Sequence, residues 1–151
     1  MGKFGEEEDV HMKAMAINKY GNQEKLQLIE LSIPVLHDHE ILVKIHAASV
    51  NPIDYKLRDG KAKVLMSFSF PLILGHDFAG EVAGVGSKVT KFKVGDQVYG
   101  RPRKERIGTF AEYVSIHEDE LSLKPANLSM EEAASIPLVG LTAWQTLQDV
   151  I

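Results

Sequence analysis

The sequence contains no cysteine in its 151 residues. Disulfides are therefore excluded, and so is any zinc site built on thiolates. No stretch approaches the ~20 consecutive apolar residues that a membrane-spanning helix needs. Positive charge is not in excess. Seventeen Lys and Arg against 21 Asp and Glu leave a formal charge of −4, which argues against a nucleic-acid partner. The one basic cluster, Arg101-Pro102-Arg103-Lys104-Glu105-Arg106, is short and broken, and it reads as a solvated loop. A phosphate cradle is missing too. The dinucleotide fingerprint G-x-G-x-x-G needs three glycines between a strand and a helix. Its nearest match, Gly84-Val85-Gly86-Ser87-Lys88-Val89, places Val at the third glycine and falls between strands, so it reads as sheet turns. No P-loop occurs either. The first ten residues lack the cationic start and apolar centre of a signal peptide. Glu6-Glu7-Glu8-Asp9 reads as a disordered acidic lead-in, and a cytoplasmic location is expected.

What is present suits one globular domain. Apolar content is 44% and charged content 25%, both ordinary for a soluble protein, and the length allows a substantial core. From Lys13 to Pro125 the pattern is of short strands and turns. Lys13–Lys19 and Leu26–Ile33 flank the turn signal Gly21-Asn22. Glu40–Ala47 alternates, with Ile41, Val43 and Ile45 on one face and Leu42, Lys44 and His46 on the other. Strands are expected over Phe78–Val85, Val89–Tyr99, Thr109–Ile116 and Leu121–Leu123, with a turn at Gly95-Asp96. Glycines amid Val and Phe suit a tightly curved sheet. The fold class that follows is mainly β with short helices, in a barrel or sandwich.

Three helices are expected. Pro52–Arg58 has Asn51 to cap it, Pro52 at its first position and Gly60 to end it. Residues 61–70 carry no pattern and read as loop. Ser129-Met130-Glu131-Glu132 fits a capping box. Pro137 opens a further helix, in which Leu138, Leu141, Trp144, Leu147 and Ile151 recur every three or four residues. That stripe is core, or an exposed apolar face if its partner lies elsewhere.

Asn51-Pro52-Ile53-Asp54, then Pro71-Leu72-Ile73-Leu74-Gly75-His76-Asp77-Phe78-Ala79-Gly80, then Gly95-Asp96-Gln97-Val98 stand in this order. Together with Gly80-Glu81-Val82-Ala83-Gly84-Val85-Gly86, and with the Ala-Ala-Ser-Ile-Pro and Gly-Leu-Thr-Ala of 133–143, they resemble the medium-chain dehydrogenase/reductase superfamily. The closest branch is the zinc-free quinone-oxidoreductase group. The resemblance runs over residues 12–151. It implies a GroES-like barrel over 12–126, a helical link over 127–151 toward a Rossmann domain lying beyond this chain, and a lead-in over 1–11.

The resemblance further implies that the parent protein transfers hydride from NADPH to a quinone or an α,β-unsaturated carbonyl. It allows a homodimer, and it leaves this chain inactive by itself. Asn51 stands where zinc-dependent members place their first Cys. Pro137, Leu138 and Val139 stand near the third ligand's place, so no zinc is expected. Asn51 and Asp54 match the branch's Asn-x-x-Asp pattern. Asn51 offers an amide donor for a developing oxyanion, and the pair can equally cap a helix. Tyr55 or Lys56 falls where some relatives place a Tyr facing the substrate. His76 is a candidate general acid or a structural histidine. Thr142 falls where a family Thr approaches the nicotinamide. Arg58 reads as a helix-end ion pair in preference to an anion ligand. His11, His37, His39, His46 and His117 have no ligand spacing. Two other readings stay open: a stand-alone GroES-like binding or assembly module, and a zinc-dependent alcohol dehydrogenase relative.

Overall fold

The hairpin at the start of the chain sets the first sheet. In the computed structural model, which describes residues 11–150, β1 (His11–Ile17) pairs antiparallel with β2 (Leu26–Ser32). The expected turn lies between them. The Asn22 side chain accepts the Glu24 N–H at 3.2 Å and caps one 3-10 turn, Gln23–Lys25. On its other edge β1 takes the two-residue β4 (Leu72–Ile73), so this sheet runs β2-β1-β4.

A second sheet, β7-β3-β5-β6-β8, holds the larger core. Its strands are β3 (Glu40–Ala48), β5 (Phe78–Val85), β6 (Gln97–Gly100), β7 (Tyr113–His117) and β8 (Leu121–Leu123), all paired antiparallel. β3 alternates as its sequence requires. Ile41 and Val43 are buried, while Lys44 and His46 face water. Register shifts at Leu42/Val43 and Ile45/Ala47 bend the strand and curl the sheet. The mainly β, GroES-like architecture read from the sequence is thus the one observed. Ile41, Val43, Phe78, Val82, Val98 and Ile116 fill the curl, each contributing about 1.5–3 kcal/mol by burial. A second cluster, Ile17, Leu57, Leu72 and Leu74, seats the first helix on the smaller sheet.

Two strand readings need correction, and the expected lead-in ends earlier than proposed. Of Val89–Tyr99 only Gln97–Tyr99 is strand. Val89 and Phe92 pack against the core, but the backbone donors nearby go to side chains. Thr90 N–H and Lys91 N–H donate to Glu118 Oε2, and Lys93 N–H to Asp96. Residues 109–112 are also not strand. This segment crosses between the sheets, with Phe110 N–H donating to Leu74 O, Phe110 O accepting from Met15, and Glu112 O accepting from Ile45. His11 already pairs with Ser32 in β1. The remainder of the acidic lead-in, and Ile151, lie outside the described residues.

α1 (Pro52–Arg58) ends as its glycine predicts. Gly60, at φ +79°, donates to Leu57 O, and Lys61 N–H reaches Lys56 O, which is the Schellman closure. Residues 61–70 are turns and coil, as expected. α2 (Met130–Ala134) carries the expected box. Ser129 Oγ accepts from Glu132 N–H, and Glu132 accepts from Ser129 N–H. α3 (Pro137–Val150) leaves Val139, Leu141, Trp144, Leu147 and Val150 exposed. Of the two readings of its apolar stripe, the exposed face is the one observed.

Candidate active site

Three segments converge beneath the start of α1. The end of β3 delivers Ser49 and Asn51. The first turn of α1 delivers Asp54. The link from β4 to β5 delivers His76 and Asp77. Gly75 makes that link possible. Its φ is +105°, and a Cβ there would lie 2.4 Å from Thr109 Oγ1 and 2.7 Å from Phe110 N. Only glycine permits both the conformation and the contact.

The convergence builds two buried carboxylate clusters. Asp54 Oδ2 accepts the Asn51 N–H at 2.7 Å, and Asp54 Oδ1 lies 2.5 Å from His76 Nδ1. Asp54 and His76 are 2% and 1% exposed. With Asp54 as acceptor, Nδ1 carries the ring proton, so Nε2 is left to act on a ligand. Nε2 is buried and has no partner. The second cluster centres on Asp77. Ser49 Oγ–H donates to Oδ1 at 2.5 Å, Asn51 Nδ2 donates to the same oxygen at 3.2 Å, and Leu138 N–H donates to Oδ2 at 3.3 Å. Asn51 Nδ2 also reaches Ser49 Oγ at 3.2 Å. Its amide donors are thus turned inward, onto Ser49 and Asp77.

Burial pushes the Asp77 carboxyl above its ordinary range. The donors from Ser49, Leu138 and Asn51 pull it back, and the neighbouring Asp54 charge adds to the rise. A carboxyl raised in the folded state holds its proton more tightly there than in the unfolded chain. It therefore contributes stability below its unfolded pKa of about 4, and that contribution is lost as pH rises through the folded value. The stability of the wild type relative to Asp77→Asn is accordingly expected to fall as pH rises above about 4, read from urea midpoints. A difference that stays flat with pH contradicts the assignment.

Above these clusters lies a cavity of about 770 Å³, a volume suited to a small ligand. Asn51, Ile53, Met66 and His76 form one wall, Leu138, Val139, Thr142 and Ala143 of α3 another, and Arg101 and Lys104 stand at the side. Of the residues expected from sequence, Asn51, His76 and Thr142 therefore line one space. Asp54 acts behind them through His76. Tyr55 and Lys56 are not brought to the cavity; Tyr55 is 44% exposed on the outer side of α1. Arg58 makes the expected ion pair, 2.8 Å from Asp59. Thr142 Oγ1 donates to Leu138 O at 2.8 Å, so its lone pairs remain free to accept. Among the described residues no three His, Asp or Glu side chains converge as a metal-ligand set.

Sequence reasoning missed Ser49, Met66 and Arg101. Ser49 and Met66 carry no motif. Arg101 reads from sequence as part of a solvated loop because its basic cluster is short and broken, yet its Nε is buried without a partner.

The family model of the alcohol dehydrogenase GroES-like domain matches residues 37–126. Over 146 residues the chain is 37% identical to the mitochondrial NAD(P)H oxidoreductase RTN4IP1 of Dictyostelium discoideum, covering 93% of this chain and 41% of that protein. It is 40% identical over 144 residues to 2-methylene-furan-3-one reductase of Solanum lycopersicum, covering 91% and 37%. The crystal structure of Escherichia coli quinone oxidoreductase complexed with NADPH superimposes with a TM-score of 0.82 at 31% identity, over 91% of this chain and 41% of that one. The chain thus spans about two fifths of the relatives it matches. On fold, motifs and relatives together, it belongs to the alcohol dehydrogenase GroES-like domain family of the medium-chain dehydrogenase/reductase superfamily.

Proposed function

We propose that this chain forms the acceptor side of an NADPH-dependent, zinc-free oxidoreductase that passes hydride to a quinone or an α,β-unsaturated carbonyl. The observation that carries the reading is the cavity itself, with its mostly apolar walls and one buried imidazole whose Nε2 is unpartnered. The names of the relatives, a quinone oxidoreductase with NADPH and a furanone reductase, support the acceptor class and the cofactor. The chemistry of the side chains supports the zinc-free reading. Asn51, Leu138 and Val139 stand in the cavity wall, and none supplies the thiolate or imidazole that zinc prefers.

The cavity fits the ring end of the cofactor alone. Thr142 can accept from a carboxamide, while nothing in the sequence cradles a pyrophosphate. A reduced nicotinamide, when bound, supplies the hydride. Hydride arrival at an enone or quinone carbon leaves negative charge on the acceptor oxygen, and one proton completes the reduction. His76, when protonated at Nε2, donates to that oxygen, while Asp54 holds Nδ1 and fixes the ring. Asn51 becomes a positioning residue, because its amide donors are taken by Ser49 and Asp77. In this proposal the parent protein is cytoplasmic and homodimeric, the assembly following the family resemblance. The Dictyostelium relative is mitochondrial by name.

Titrating benzalacetone, a neutral enone, into the 151-residue chain is expected to show one saturable site with Kd on the order of 100 μM. Adding NADPH is expected to give no turnover above the blank. The absence of saturable binding overturns the acceptor reading, and sustained NADPH oxidation overturns the predicted inactivity of the chain alone.

A further inference from the structure

We infer that Arg101 is an anion anchor in the cavity, so that the preferred ligand combines an apolar body with a carboxylate or phosphate. This deepens the acceptor-site reading and rests on it. The sequence has four arginines. Arg58, Arg103 and Arg106 each pair with an acid, Asp59, Glu120 and Glu40 respectively. Arg101 makes no such pair among the described residues, and its Nε is buried with no hydrogen-bond partner. One guanidinium N–H buried without a partner is costly, and an orphaned donor at a cavity wall calls for a ligand that satisfies it.

The position of Arg101 is fixed by backbone. It follows β6 directly, and its N–H donates to Glu120 O at 3.3 Å. The preceding Gly100 packs so closely that a Cβ would lie 2.6 Å from Glu120 O. The side chain borders the main cavity on one side and a second cavity, of about 490 Å³, on the other. No acidic side chain lines the main cavity, and Lys104 adds a second cation there. Lys104 is exposed and only 3.8 Å from the adjacent Glu105, so the lasting anchor is Arg101. Its planar fork matches a carboxylate or phosphate with two parallel donors.

The anion can belong to the acceptor or to the nicotinamide nucleotide, and one set of titrations separates them. Benzalacetone, 4-carboxybenzalacetone and nicotinamide mononucleotide are titrated into the wild type, Arg101→Gln and Arg101→Lys. The carboxylated enone is expected to bind the wild type about tenfold more tightly than the neutral one. Arg101→Gln is expected to weaken the carboxylated enone about tenfold more than the neutral one, with circular dichroism showing the variant to be folded, while Arg101→Lys retains part of the gain. If only nicotinamide mononucleotide loses affinity in Arg101→Gln, the anchor stands with the phosphate as its anion. If neither anion depends on Arg101 while benzalacetone still binds, the proposal is overturned. If benzalacetone fails to bind at all, the acceptor reading falls instead, and nicotinamide mononucleotide alone decides for or against the anchor.

Discussion

Gly80→Ala is expected to destabilise the domain by about 4 kcal/mol, most of the margin of a domain at the low end of the usual range of about 5–15 kcal/mol. Gly80 sits opposite Ile45 in the β3–β5 ladder. A Cβ there would lie 2.2 Å from Lys44 O and 2.9 Å from Val43 Cγ1. The nearest atom is backbone in a central strand, so no side chain can swing away to relieve the overlap. The ladder must open, and Val43 and Phe78, both fully buried, would lose their packing with it. Gly84, on the same strand, is the control. Its nearest neighbours are Leu36 Cδ2 at 3.5 Å and Leu42 Cβ at 3.7 Å, so Gly84→Ala is expected to change stability by only about 0.5 kcal/mol. Urea midpoints of the two variants measure the contrast, and equal losses would show that the close approach at Gly80 does not exist.

The second large effect is at Asp54. Asp54→Ala removes the acceptor for both Asn51 N–H and His76 Nδ1–H, each in a buried setting. Leaving those donors unpaired is expected to cost about 3 kcal/mol. Asp54→Asn keeps the shape and one acceptor oxygen, and so is expected to lose about half as much, roughly 1.5 kcal/mol. Because Asp54 and His76 act as a pair, the loss caused by Asp54→Ala should shrink by about 1–2 kcal/mol in a His76→Leu background. Additive losses in that double-mutant cycle would show that the two side chains do not depend on each other.

The parts of the fold that local sequence governs were legible. β3 announced itself by alternation, α1 by Asn51, Pro52 and Gly60, and α2 by its capping box. The misread segments are those in which distant groups claim the backbone. Val89, Phe92 and Val94 suggest a strand, but Glu118, far along the chain, accepts the N–H groups of Thr90 and Lys91. Thr109–Glu112 has strand-like residues, yet it spends its hydrogen bonds on both sheets in turn. The site divides the same way. Asn51, His76 and Thr142 were visible as motif positions. The Asp54–His76 contact, the inward commitment of the Asn51 amide and the buried Nε of Arg101 depend on how separate segments meet. Nothing in the local sequence encodes those meetings. Tyr55 and Lys56 were candidates through the family resemblance alone, and the turn of α1 carries them away from the cavity.

The most direct test is where a small neutral acceptor binds. Titrating benzalacetone into the ¹⁵N-labelled chain should shift the backbone amides of Asn51, Ile53, Met66, His76, Leu138, Val139, Thr142 and Ala143 together, with one saturation curve. Shifts gathered instead around Tyr99, Ser122 and Gly140 of the second cavity, or scattered without saturation, would contradict the acceptor site.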